Sequence, residues 1–196
     1  MEILLRFCDK IRKELRMNIV EPIRSKKDLK KVEKYLEEQS YRNLLMFVLG
    51  TNSGLRISDI LSLNVGDVQD KDYIEIVEKK THKQKKIPIN RKLKSMFKKY
   101  TKGRNKDEPL FMSIFGNRME RTQCYRIINN VCKKAGINYK VGCHTLRKSF
   151  GYHMYHKFND IALLQKIFAH SSSNITLRYI GINQDIIDES YNNFIL

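Results

Sequence analysis

Tyr73-Ile74-Glu75-Ile76-Val77 alternates apolar and polar residues, and Lys86-Ile87-Pro88-Ile89 turns apolar again after a run of charge. Successive side chains of a strand point to opposite faces, so this stretch reads as a small antiparallel sheet around a charged turn. On both sides the period lengthens to that of helices. Upstream, Ser25 is placed to cap a helix running to about Gln39, with Leu29, Val32 and Leu36 on one face. Arg42 to Leu49 is almost wholly apolar, which predicts a buried helix broken at Asn52-Ser53-Gly54, and a short helix follows from about Ser58 to Leu63. Downstream, Asn90 to Tyr100 has helical spacing, Pro109-Leu110-Phe111 is extended, Phe115-Gly116-Asn117 is a turn, and Thr122 to Ala135 is a helix ended by Gly136. Further helices are expected over about 144–157, 160–168, 173–180 and 184–193. Residues 1–20 read as a short amphipathic helix (Leu4, Leu5, Cys8, Ile11, Leu15) that stops before Pro22. The fold class is α+β, mostly helical with one small antiparallel sheet.

The 196 residues suffice for one well-buried domain with a small appendage. No apolar run approaches a membrane span, and Met-Glu-Ile-Leu-Leu-Arg lacks the basic lead and cleavage site of a signal peptide, so a cytoplasmic protein is expected. Cys8, Cys124, Cys132 and Cys143 form no CxxC pair, which reads as reduced thiols rather than a disulfide framework or a zinc site. His153 and His156 share one helical face and read as structural or surface residues.

Charge is the strongest compositional signal. There are 38 Lys and Arg against 21 Asp and Glu, a net +17. Between Lys79 and Lys106 lie 13 basic residues and no acid, and Arg118 to Lys148 adds eight against Glu120 alone. The last 14 residues reverse the sign with Asp185, Asp188 and Glu189. A field this concentrated attracts polyanions. Nucleic acid fits better than a solvated face or acidic lipid, because apolar residues at folded-domain spacing run through the basic segments.

Within this basic chain stand Arg56, His144 and Arg147 in His144-Thr145-Leu146-Arg147, His170, and Tyr179. Their chemistry suits attack on a phosphodiester, whose pentacoordinate transition state loads charge onto the non-bridging oxygens. The guanidiniums of Arg56 and Arg147 donate paired planar hydrogen bonds to such oxygens better than lysine does. A tyrosine hydroxyl with an ordinary pKa of about 10 needs a base or a positive environment to act as a nucleophile. His144 is the choice for that base, and His170 is placed to hydrogen-bond the phosphate. Singly, each residue has a plainer reading: an Arg56–Asp59 salt bridge at a helix end, exposed helix residues at His144 and Arg147, a helix C-cap at His170, a core ring at Tyr179. Jointly, the site reading prevails. No GxxxxGK[ST] or GxGxxG phosphate loop is present.

Gly54-Leu55-Arg56-Ile57-Ser58-Asp59-Ile60-Leu61, Lys80-Thr81 through Ile87-Pro88-Ile89, His144-Thr145-Leu146-Arg147, Ala169-His170-Ser171-Ser172 and Thr176-Leu177-Arg178-Tyr179 resemble, in order, the catalytic motifs of the tyrosine recombinases, the phage-integrase family. The resemblance covers about residues 22–192. It implies a catalytic domain over 22–196 that cuts and rejoins double-stranded DNA through a 3′-phosphotyrosyl bond on Tyr179, for integration, excision or inversion of a mobile element. It implies Lys80, at the hairpin tip, as general acid for the leaving 5′ oxygen, with Lys79 and Lys83 nearby, and Asp59 as a supporting residue that orients a neighbour. No metal, nucleotide or other cofactor is required, because the phosphodiester energy is conserved in the tyrosyl bond. Lys79, Lys83, Lys85, Lys86, Arg121 and Lys148 are read as phosphate contacts on DNA, which implies steep salt dependence. Ala169 stands where the family more often has glycine.

Residues 1–21 are too few for the N-terminal helical domain with which most members clamp the opposite face of the duplex, so weak binding to a single site is expected. Ile182, Ile186, Ile187, Tyr191, Phe194 and Ile195 recur at three- and four-residue spacing with acids between them. In related recombinases such a C-terminal helix docks on a neighbouring protomer, which implies a monomer in solution and a dimer or tetramer on DNA; docking on its own domain is the alternative. Two other functions compete: a non-catalytic DNA-binding regulator of a larger integrase, and a topoisomerase-like enzyme that nicks and reseals without strand exchange.

Overall fold

The computed structural model describes residues 20–78, 82–182 and 191–195. The expected helix at the N-terminus and most of the one near 184–193 lie outside these residues, as do Lys79 and Lys80. Eight α-helices and two strands follow one another among the described residues: α1 Lys26–Gln39, α2 Tyr41–Ser53, α3 Ile57–Ser62, β1 Tyr73–Val77, β2 Gln84–Pro88, α4 Arg91–Thr101, α5 Arg121–Lys134, α6 Cys143–Phe158, α7 Ile161–Phe168 and α8 Ser173–Ile180.

The helix starts are set by side-chain caps. Ser25, Ser40, Asn90, Asp160 and Ser172 each accept a hydrogen bond from a backbone N–H of the first turn of α1, α2, α4, α7 and α8. α2 is the central helix. Leu44 to Gly50 is buried without interruption, and α1, α4 and α6 pack around it. Leu45, Met46, Phe47, Val48 and Leu49 join Leu55, Ile60, Leu93, Phe97, Phe111, Cys124, Ile128 and Leu146 in the main apolar core. A second, smaller core forms where α7 and α8 meet the far half of α6: Leu164, Phe168, Ile180 and Ile182, with Phe150, Met154 and Leu177 packed on it.

β1 and β2 pair antiparallel, Tyr73 opposite Pro88 and Val77 opposite Gln84. The second strand therefore begins two residues before the apolar run, at Gln84 rather than Lys86. Both strands are edges, so the missing N–H of Pro88 costs no ladder bond in a larger sheet. Ile74 is buried in the main core, and Ile76 and Ile87 pack against it. At the far end the hairpin closes with Glu78 N–H donating to Lys83 O at 3.0 Å and His82 N–H donating to Glu78 O at 2.9 Å.

Pro109 and Met112 make isolated antiparallel bridges to Asn64 and Arg118, and the Arg118 guanidinium donates to the carbonyls of Leu61 and Leu63. This lashes the 109–118 connection to the end of α3. Residues 20–24 run along α6, where Ile23 N–H donates to Ser149 Oγ at 2.7 Å and His153 Nε2 lies 2.9 Å from Ile23 O. His153 thus belongs to the scaffold.

Candidate active site

Arg147 stands at the seam between the two cores. It lies on the first turns of α6 with only 3% of its surface exposed. Through Nη1 it donates to the carbonyl of Gly54, and through Nη2 to the carbonyl of Phe168 at 3.1 Å. The guanidinium also covers the Phe168 ring, 4.4 Å from its centroid. Gly54 can present its carbonyl there because it ends α2 in the left-handed region, φ 64°, and a Cβ would meet the Phe150 ring at 2.5 Å. Burial lowers the pKa of Arg147 while Tyr179, Glu78 and Asp59 raise it; a guanidinium stays charged at neutral pH regardless.

Arg56 reaches the same place from the start of α3. Its backbone is extended at the cap position, and the side chain is turned inward onto Glu78, Nη1 to Oε1 2.7 Å. Glu78 is 0% exposed and also receives Lys85 Nζ at 2.8 Å. Lys85 donates a further bond, 2.6 Å, to the carbonyl of Ile167 at the end of α7. Desolvation lowers the Lys85 pKa, opposed by its bond to Glu78. Asp59, one turn along α3 from Arg56, is buried and acts electrostatically on Arg147.

α7 ends at Ala169 in the left-handed region, φ 53°, and that bend delivers His170. His170 Nδ1 lies 3.1 Å from Thr176 Oγ1, and Thr176 donates its hydroxyl proton to Ser172 O at 3.2 Å. With that proton spent, the neutral imidazole donates from Nδ1 and keeps Nε2 as an acceptor aimed elsewhere. Burial, with the positive charges of Arg147, Arg56 and Lys85, lowers the pKa of His170 below the ordinary histidine value.

Tyr179 sits on the last turn of α8, half-buried. Its ring meets His170 edge-on at 5.2 Å between centroids and Phe168 at 5.4 Å, and Lys148 Nζ lies 5.4 Å from its ring centre. Burial raises the pKa of the hydroxyl, and Arg147 and Arg56 pull it back down. His144 is exposed on the first turn of α6, three residues before Arg147.

The structure therefore gathers Arg56, Asp59, Arg147, His170 and Tyr179 into one cluster and puts His144 on the helix that carries Arg147. Lys83, Lys86 and Arg121 are exposed, Lys86 being paired with Glu75 at 2.9 Å. Lys85 and Lys148 are drawn inside instead, Lys148 with 7% exposure. Sequence reasoning missed Glu78. The signal was there: continuing the alternation of Ile74 and Ile76 places residue 78 on the inward face. Beside the cluster opens a cavity of about 780 Å³, lined by Gly54, Lys85, Phe150, Met154, Phe158 and Ile167 among others.

Residues 24–185 match the model of the phage integrase family, and the chain belongs to that family as a tyrosine recombinase catalytic domain. It is 45% identical over 179 residues to the probable integrase/recombinase YoeC of Bacillus subtilis, covering 91% of this chain and 98% of that one. It is 30% identical to the tyrosine recombinase XerC of Thermodesulfovibrio yellowstonii over 76% of this chain, but spans only 53% of XerC. The XerA recombinase crystal structure shares the fold, with a TM-score of 0.73 at 22% identity over 89% of this chain and 64% of that one. No described helix is long and apolar enough to cross a membrane.

Proposed function

We propose that this domain cuts and rejoins duplex DNA with Tyr179 as nucleophile, as the catalytic part of a site-specific recombinase acting in the cytoplasm. The observation that carries the reading is the meeting of Tyr179, from α8, with the buried Arg147 guanidinium of α6 and the partly buried Arg56 guanidinium at the start of α3, around a histidine of depressed pKa. The Tyr179 oxygen attacks phosphorus, the bond from phosphorus to the 5′ oxygen breaks, and a 3′-phosphotyrosyl ester forms. The phenolic proton passes to His144, and the departing 5′ oxygen takes a proton from Lys80. Arg56 and Arg147 neutralise the added charge on the non-bridging oxygens, a preorganised contribution whose loss typically costs about 10²–10³ in rate. One phosphodiester is exchanged for another, so the step calls for no cofactor.

Exposed Lys83, Lys86 and Arg121 supply phosphate contacts around the site. Relatives of this fold have been crystallised on DNA: XerH on its difH substrate, and lambda integrase as a tetramer on a Holliday junction. By analogy this chain works as a dimer or tetramer on DNA and as a monomer without it. The exposed Tyr191, Phe194 and Ile195 are suited to dock on a neighbouring copy.

The test is covalent trapping. Nicked DNA carrying the cognate site should yield an SDS-resistant adduct that disappears in Tyr179→Phe. Absence of the adduct from folded protein bound to its site would leave a DNA-binding regulator. An adduct without exchange between two marked duplexes would leave a nicking and resealing enzyme.

A further inference from the structure

Glu78 is the only wholly buried carboxylate among the described residues apart from Asp59, and one of its oxygens, Oε1, receives two cations, Arg56 at 2.7 Å and Lys85 at 2.8 Å. A carboxylate excluded from water stays ionised only when it is matched by positive charge and hydrogen bonds. Here both partners come from the site itself. Lys85 is anchored at its other side by the Ile167 carbonyl at 2.6 Å, and the Glu78 backbone is fixed by its two hydrogen bonds to Lys83 and His82. The carboxylate is therefore held in place, and the Arg56 guanidinium is drawn to it as an ion pair. A guanidinium has five N–H donors, so seating Nη1 leaves others to face a ligand.

The charges point the same way. Arg56, Arg147 and Lys85 carry three positive charges, and Asp59 and Glu78 carry two negative ones. These groups together leave the site net positive toward an anionic phosphate. Without Glu78 the three cations would repel one another across a few ångströms of protein interior, and Arg56 would be drawn to whichever anion came near rather than held ready.

We propose that Glu78 is a positioning residue for strand cleavage: it holds Arg56 in the orientation that receives the scissile phosphate, with Lys85 as the counter-charge that lets Glu78 be buried. The inference rests on the reading of Arg56 as a phosphate clamp. It differs from a direct role, since the proposal has Glu78 act through its ion pair with Arg56. It also moves Lys85 from the DNA-binding surface into the support of the site.

The experiment measures single-turnover formation of the Tyr179 adduct on nicked DNA together with the Kd for the same DNA. Glu78→Gln should slow the adduct by about 10²-fold, of the size lost with one preorganised donor, while Kd stays within about threefold. Combined with Arg56→Lys, it should add little to the loss caused by Arg56→Lys alone, since both changes undo one interaction. The pair Glu78→Gln with Lys85→Met removes both buried charges at once and guards against a variant that fails only by unfolding; it should keep the wild-type Tm within a few degrees and still cleave slowly. Wild-type cleavage by Glu78→Gln or by the charge-balanced pair, or losses that multiply with Arg56→Lys, would overturn the inference. Wild-type cleavage by Arg56→Lys alone would instead remove the clamp reading on which it stands.

Discussion

The rings of His170 and Tyr179 meet edge to face, 5.2 Å between centroids at 74°. The contact places Tyr179, proposed above as the nucleophile, against a histidine whose protonation state is shifted by burial and by neighbouring cations. His170 is partly desolvated against this ring and Phe168 and faces Arg147, Arg56 and Lys85, so its folded-state pKa lies below the ordinary value of about 6.5. Between that lowered pKa and 6.5 the unfolded chain binds more protons than the folded one. Stability must therefore rise with pH through this window and be lost as the solution is acidified below 6.5. Urea unfolding at pH 5 and pH 7 should show the folded state weaker at pH 5. His170→Asn should flatten the difference in part, His153 contributing in the same sense.

Arg147, proposed above as a phosphate clamp, is also a strut. It satisfies the buried carbonyls of Gly54 and Phe168, one from each core. Arg147→Ala leaves both acceptors without their donor, at about 1–3 kcal/mol each. Adduct formation should be abolished, and chemical denaturation should show a loss of about 2–6 kcal/mol. DNA binding measured well below the lowered Tm should largely persist, because the exposed lysines proposed to meet the DNA backbone are untouched. Parallel loss of binding and cleavage there would make Arg147 a binding residue.

The reach of sequence reasoning follows from these same contacts. Helix starts were legible to within a residue or two, because Ser25 announces itself as a local cap and elsewhere the return of helical spacing marks the start. The alternation over Tyr73–Val77 placed β1 without error. Arg56, His170 and Tyr179 were legible as a set only through their order. Lys85 was not, since in a run of six lysines between 79 and 92 nothing local separates a phosphate contact from a residue that crosses to Ile167, 82 positions away. Lys148 was hidden for another reason. Thr145, Arg147, Lys148 and Ser149 are all polar and all buried, so no division of α6 into apolar and polar faces marks the lysine as inward-facing.

Ala169 holds φ 53° at the end of α7, a conformation that costs a residue with a Cβ roughly 1 kcal/mol and glycine nothing. The bend is needed, because it carries His170 round to Thr176. Ala169→Gly should therefore stabilise the protein, the relief of strain outweighing the added freedom of the unfolded chain. A gain of about 0.5–1 kcal/mol is expected, or roughly 2–3 °C in Tm for a chain of this size. A fall in Tm by calorimetry would mean that the surrounding packing already relaxes the strain.

Gly151 is where the packing of the two cores bears directly on the nucleophile. It faces α8 and the end of α7 so closely that a Cβ would lie 2.6 Å from Ile180 Cγ2 and 2.7 Å from Phe168 Cε2. Neither neighbour can yield cheaply. Phe168 is fully buried under the Arg147 guanidinium, and Ile180 is fully buried in the small core. Gly151→Ala must therefore push α8 outward by some tenths of an ångström, at the ~1–3 kcal/mol typical of overpacking. Because Tyr179 immediately precedes Ile180, the displacement is handed to the hydroxyl proposed to attack. Misplacement on the ångström scale costs up to about 10²-fold in a reaction that depends on aligned attack. Adduct formation should thus fall roughly tenfold or more while the Kd for DNA is unchanged. Phe168→Leu, which makes room at the same point, should restore part of the rate in the double variant. If Gly151→Ala lowered stability yet cleaved at the wild-type rate, the position of Tyr179 would have to be set by contacts other than the packing of α8 on α6.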